Sequence, residues 1–174
     1  MTQAPPPAPP PAQQSWSAPT PGPVAPTARP GSVTAAGVTL IVLGVLALLL
    51  GLLFLLGGAI FAGAAGGGVE IPETPGVPTG MFTAFAGFIL VFALIVLAWG
   101  AVQILTGIKV LGGRGWARVT GIVLAAIGAL LSLGGLTSGD PGSLIISVIF
   151  IAANVFVIWA LWTSGGWFAS RSPA

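Results

Sequence analysis

The chain has 174 residues, 55% of them hydrophobic and 5% charged, with neither cysteine nor histidine. Soluble globular domains carry roughly 25% charged residues, so five basic and three acidic side chains cannot coat a water-soluble fold of this length. The composition also excludes disulfides, thiolate and imidazole chemistry, and with them most zinc sites.

Glu70, Glu73 and Asp140 are the acidic residues, split between two segments. They form neither a paired acid and base nor a metal cluster, so no catalytic residue, metal or cofactor is expected. The cations at 29, 109, 114, 118 and 171 are dispersed and make no run that could neutralise successive phosphates. Nucleic acid is therefore not an expected partner.

Residues 1–32 open with Pro5-Pro6-Pro7 and Pro9-Pro10-Pro11 and hold eleven of the sixteen prolines. Proline lacks an N–H and fixes φ, so a disordered, polyproline II-rich tail is expected. It does not read as a signal peptide. No basic residue precedes Arg29, and the apolar run behind it exceeds the roughly 7–15 residues of an h-region.

Four apolar stretches follow, at about 33–60, 81–108, 118–136 and 143–163, with uncharged interiors. A hydrocarbon core of about 30 Å needs ~20 helical residues, so each can span, the third only just. Lipid supplies no backbone partners, which leaves helices or a closed barrel. The period-two alternation of barrel strands is absent. The predicted fold class is all-α: a membrane-spanning four-helix bundle behind a disordered Pro-rich N-terminal tail.

The first run continues to Ala64, but its useful part is expected to end near Gly57-Gly58, with Gly-rich chain fraying behind it. Pro72, Pro75 and Pro78 break any helix before Met81. Asp140-Pro141-Gly142 reads as a tight turn. Residues 164–174 read as a short C-terminal tail.

In a four-span chain Arg29, Lys109, Arg114, Arg118 and Arg171 fall on one side and the three acidic residues on the other. The positive-inside rule makes the basic side, with both termini, cytoplasmic. Trp116, Trp159, Trp162 and Trp167 cluster on that side, and Phe82, Phe85 and Phe88 on the other, as interfacial belts would. Lys109, Arg114, Trp116 and Arg118 are the predicted cytoplasmic interface anchors.

Small residues recur at a seven-residue step: Gly37, Gly44, Gly51 and Gly58 in the first span, then Gly121, Gly128 and Gly135 in the third, with Ala125 and Ser132 between. Such stripes let helices approach closely in lipid, with a left-handed crossing. Gly37, Gly44, Gly51, Gly121, Ala125, Gly128 and Gly135 are the predicted packing positions. Laying Gly37 over Gly121 aligns the two spans, and Ala93 and Trp99 over Ala153 and Trp159 aligns the other two. This suggests a duplicated two-helix hairpin. Gln103 and Asn154 are the predicted interhelical polar residues, each turned inward, since an unpaired amide in hydrocarbon costs several kcal/mol. Gly66-Gly67-Gly68 and Gly112-Gly113-Arg114-Gly115 lack the strand and the Lys-Ser/Thr of a phosphate loop and read as flexible links.

Residues 113–125, Gly113-Arg114-Gly115-Trp116-Ala117-Arg118-Val119-Thr120-Gly121-Ile122-Val123-Leu124-Ala125, and 155–161, Val155-Phe156-Val157-Ile158-Trp159-Ala160-Leu161, resemble an uncharacterised group of small four-helix integral membrane proteins of actinobacteria. Its members read GRxWARVxGIVLA and VFVIWAL at these places. The resemblance covers roughly residues 100–163 and departs around Leu130 to Gly142. It implies the four-helix topology and a bacterial plasma membrane, and carries over no catalytic residue.

No acid or base sits within a span, where transporters and proton relays usually keep one. The expected function is a non-enzymatic structural or interaction module, an accessory subunit or scaffold with a Pro-rich recruiting tail. Its partners would be the lipid bilayer and other membrane proteins, or further copies in a homo-oligomer. The alternative is a small transporter or channel subunit with an uncharged polar path at Asn154 and Gln103.

Overall fold

The computed structural model describes residues 28–63, 79–137 and 139–170. In chain order these form α1 (Gly31–Gly63), α2 (Thr79–Leu111), α3 (Gly115–Ser132), a 3₁₀ stretch at Leu133–Thr137, α4 (Pro141–Thr163) and the short α5 (Gly165–Ala169). They contain no strand. α1, α2, α3 with its 3₁₀ extension, and α4 are each long and apolar enough to cross a membrane. The chain is an all-α membrane protein. Most of the Pro-rich tail, Glu70 and Glu73 with the Gly66-Gly67-Gly68 link, and Arg171 lie outside the described residues.

The helices form two antiparallel hairpins, α1 with α2 and α3 with α4. Contacts of α2 with α3, and of α1 with α4, join them. Local chemistry sets the connections. α2 ends on Gly113, whose φ of 75° suits only glycine without strain. The Gly113 N–H bonds the Val110 carbonyl at 2.9 Å and the Arg114 N–H bonds the Lys109 carbonyl at 3.1 Å. This is a Schellman closure, so the 112–115 link predicted to be flexible is a hydrogen-bonded turn. α4 begins with Asp140 as N-cap, its carboxylate accepting from the Ser143 N–H at 2.7 Å, and Pro141 in the first turn. That bond holds the Asp140 carboxyl below its ordinary pKa.

The first hairpin is built on its glycines. α2 sends large side chains at a seven-residue step onto α1: Leu111 over Gly37, Ile104 over Gly44, Leu97 over Gly51 and Leu90 over Gly58. In return Ile41 and Leu48 of α1 sit on Gly107 and Gly100 of α2. Reciprocal seating brings main chains together. A Cβ on Gly100 would lie 2.7 Å from the Gly44 carbonyl oxygen.

This packing explains why α1 outruns its predicted end. Gly57 faces open space, but Gly58 is buried against Ile89 and Leu90, and Phe61 meets Phe82 and Phe85 with ring centroids 6.2 and 6.0 Å apart. Contact with α2 offsets the entropy glycine loses in the helix, and the helix continues to Gly63.

The other departure is at the C-terminus. Residues 165–169 form α5 rather than a loose tail, and Trp167 and Phe168 are buried. They pack edge to face at 4.9 Å and join Val33, Val110, Ala117 and Leu161 in the bundle core. Trp167 is thus a core residue and not an interfacial anchor.

Candidate functional site

The second hairpin carries polar side chains in its seam. Its seam repeats the first in outline, with α4 seating Leu161 on Gly121, Asn154 on Gly128 and Ser147 on Gly135. Ile104 and Leu97 in the first hairpin thus correspond to Asn154 and Ser147 in the second. The Gly37-over-Gly121 alignment of α1 with α3 matches this packing. The Ala93-over-Ala153 alignment of α2 with α4 does not, because seated residues, not look-alike residues, define equivalence. Ala125 lies wholly buried between these glycines.

Asn154 is buried on α4, and its Nδ2 donates to the Phe150 carbonyl one turn earlier at 2.8 Å. Its Oδ1 lies over the Gly128 backbone with no hydrogen-bond partner. Gln103 is buried on α2. α2 and α4 sit across the bundle, each flanked by both α1 and α3, and the hydrogen bond that the Asn154 amide donates stays within its own helix. Thr106, one turn from Gln103, approaches Gly121 with its methyl group. Ser132 donates to the Gly128 carbonyl at 2.8 Å, a back-bond of the kind hydroxyls make in helices.

The second cluster is the basic end. Lys109 closes α2, and Arg114, Trp116 and Arg118 open α3. Arg29 is exposed just before α1. Arg114 and Trp116 point to the surroundings. Arg118 instead turns inward: its Nε donates to the Leu161 carbonyl at 2.8 Å and its Nη2 to the Trp162 carbonyl at 3.2 Å. These carbonyls end α4 without intrahelical partners, and a cation there also meets the negative end of the helix dipole. Gly165 leaves room for the guanidinium, which would lie 2.9 Å from a Cβ at that position. Ser164 adds a bond to the Ala160 carbonyl at 2.7 Å and one to Ser32 of α1 at 3.2 Å. Arg118 therefore caps the C-terminal end of α4.

Sequence reasoning missed the matching stripe of α2: Ala86, Ala93, Gly100 and Gly107, all buried. The seven-residue step that found the α1 glycines finds it too. It also missed Ser147 and Leu161 as companions of Asn154 at the same step. Among the described residues no three His, Cys, Asp or Glu side chains come together to hold a metal.

A bundle of four apolar helices, with Arg29, Lys109, Arg114 and Arg118 at one end and Gln103, Thr106, Ser147 and Asn154 buried inside, defines a multi-pass membrane protein. Residues 83–166, from α2 to the start of α5, match the family described as DUF7144, a domain of unknown function. No curated protein and no solved structure matches the chain.

Proposed function

We propose that this protein is a non-enzymatic structural or interaction module of a bacterial plasma membrane, an accessory subunit or scaffold. Both termini are cytoplasmic, and residues 1–32 recruit a soluble partner. The observation that supports this most is the use of the internal polar groups. Gln103, Thr106, Ser147 and Asn154 are all buried, which suits packing and orientation better than a wet path for a solute. The outward faces of all four spans are apolar and exposed, as lipid or neighbouring helices require.

The orientation rests on Arg29, Lys109, Arg114 and Arg118 gathering at one end while Asp140 lies at the other. Exposed Trp116, Trp159 and Trp162 at the basic end fit the headgroup layer. Two experiments test the reading. Single cysteines at 70 and 112, labelled in intact cells, are expected to report opposite faces, and the same face for both would overturn the topology. Deleting residues 1–30 is expected to remove proteins that co-purify with the full chain. An unchanged set would remove the recruiting role.

A further inference from the structure

Residues seven apart share one helix face, so their exposure reports how far the neighbouring element stands away along the span. On α1, Ala36, Leu43 and Leu50 are 0%, 8% and 47% exposed, and on α3, Ala117, Leu124 and Leu131 are 0%, 6% and 71% exposed. The same rise occurs on α2 from Thr106 to Phe92 and on α4 from Ala160 to Ile146. At the basic end these faces turn toward the bundle core. The seams within each hairpin behave differently. Gly51, Gly58, Ala86, Ala93 and Ser147 remain buried toward the acidic end. The hairpins stay closed individually while they part from one another.

Connectivity allows this. The connections at the acidic end, 64–78 and 138–140, each rejoin two helices of one hairpin, whereas the turn at 112–114 crosses from one hairpin to the other at the basic end. The other ties are there too: Trp167 and Phe168 in the core, and the Ser32–Ser164 bond. In lipid, apolar side chains gain no hydrophobic drive by meeting each other rather than acyl chains. Leu50 and Leu131 are therefore nearly indifferent between the two.

We propose that the fold is a hinge: two rigid hairpins pivot about the basic end, and their acidic halves open and close within the bilayer. Collective motion of this kind belongs to the microsecond-to-millisecond range. The inference does not depend on the proposed scaffold role.

The absence of native cysteine makes a spin-label test direct, using the full chain in nanodiscs of defined lipid. Three double variants place labels on exposed positions. Val38→Cys with Val119→Cys reads across the hairpins near the basic end. Leu53→Cys with Leu130→Cys reads across them toward the acidic end. Leu53→Cys with Val91→Cys reads within the first hairpin at a similar depth. The expected result is narrow distance distributions for the first and third pairs and a several-fold wider or two-component distribution for the second. Three equally narrow distributions would overturn the hinge. So would a broad third pair, because the hairpins would then not be rigid bodies. Adding Phe168→Ala is expected to broaden the Val38/Val119 pair, and no change there would remove α5 from the pivot.

Discussion

Gly100→Ala is the sharpest test of the first seam. A Cβ at Gly100 would sit 2.7 Å from the Gly44 carbonyl oxygen and 2.9 Å from the Leu48 nitrogen. Both are main-chain atoms of α1, so no rotamer change relieves them. Ordinary contact starts near 3.4 Å, and the helices must separate locally by about 0.7 Å, enough to forfeit roughly a quarter to a half of each dispersion contact opened. Overpacking on this scale costs about 1–3 kcal/mol. Alanine returns up to about 1 kcal/mol of helix propensity, leaving a net loss of about 0–2 kcal/mol.

Gly57→Ala isolates the propensity term, because nothing lies within 4 Å of its would-be Cβ. It should stabilise by about 0.5–1 kcal/mol. Gly44→Ala combined with Gly100→Ala should cost less than the sum of the two, since one separation relieves both. The assay is reversible unfolding in mixed micelles at rising SDS mole fraction, followed by circular dichroism. If Gly100→Ala equals or exceeds Gly57→Ala in stability, the close main-chain seam is refuted.

Four further outcomes follow from the geometry. Asn154→Leu should be neutral or stabilising within about 1 kcal/mol, because it removes a buried carbonyl oxygen that has no partner; a larger loss in the same unfolding assay would mean that Asn154 bonds across helices. Arg118→Gln should lose about 1–2 kcal/mol by leaving the Leu161 and Trp162 carbonyls without their charged donor, and Arg118→Lys should recover only part of it; unchanged stability in either would remove the capping role. Phe168→Ala should cost about 3–5 kcal/mol as a core truncation, and a small shift in its unfolding midpoint would return α5 to the status of a tail. Asp140, with its pKa lowered by the Ser143 N–H, contributes stability above its unfolded pKa that is lost as pH falls through the folded value. The pH dependence of unfolding should therefore flatten in Asp140→Asn, and an identical acid limb in both proteins would contradict this.

The four spans were legible because lipid leaves the backbone no alternative to the helix, and a run of apolar residues announces that directly. The α1 glycines were legible because the seven-residue step survives in the sequence without a partner. Their mates were harder to see. Ala86 and Ala93 stand among phenylalanines and leucines, where small size becomes meaningful once Gly100 and Gly107, at the same seven-residue step, are seen seated against α1. Trp167 looked like an interfacial tryptophan, since composition cannot tell an aromatic at the membrane surface from one folded back into the core. The inward turn of Arg118 was hidden for a similar reason: its acceptors are carbonyls of residues more than forty positions away, and every residue has a carbonyl.

The reciprocal seating of α1 and α2 bears on how the protein is made. Once Leu111 has been synthesised, every knob and hollow of the first seam exists, and none waits for α3 or α4. The nascent chain can thus leave the translocon as a finished pair while the remainder is still being translated. α5 emerges after all four spans, and its aromatic pair completes the floor on which both pairs rest. A chain released before Trp167 and Phe168 would keep two sound hairpins but lose the aromatic part of the core that ties their feet.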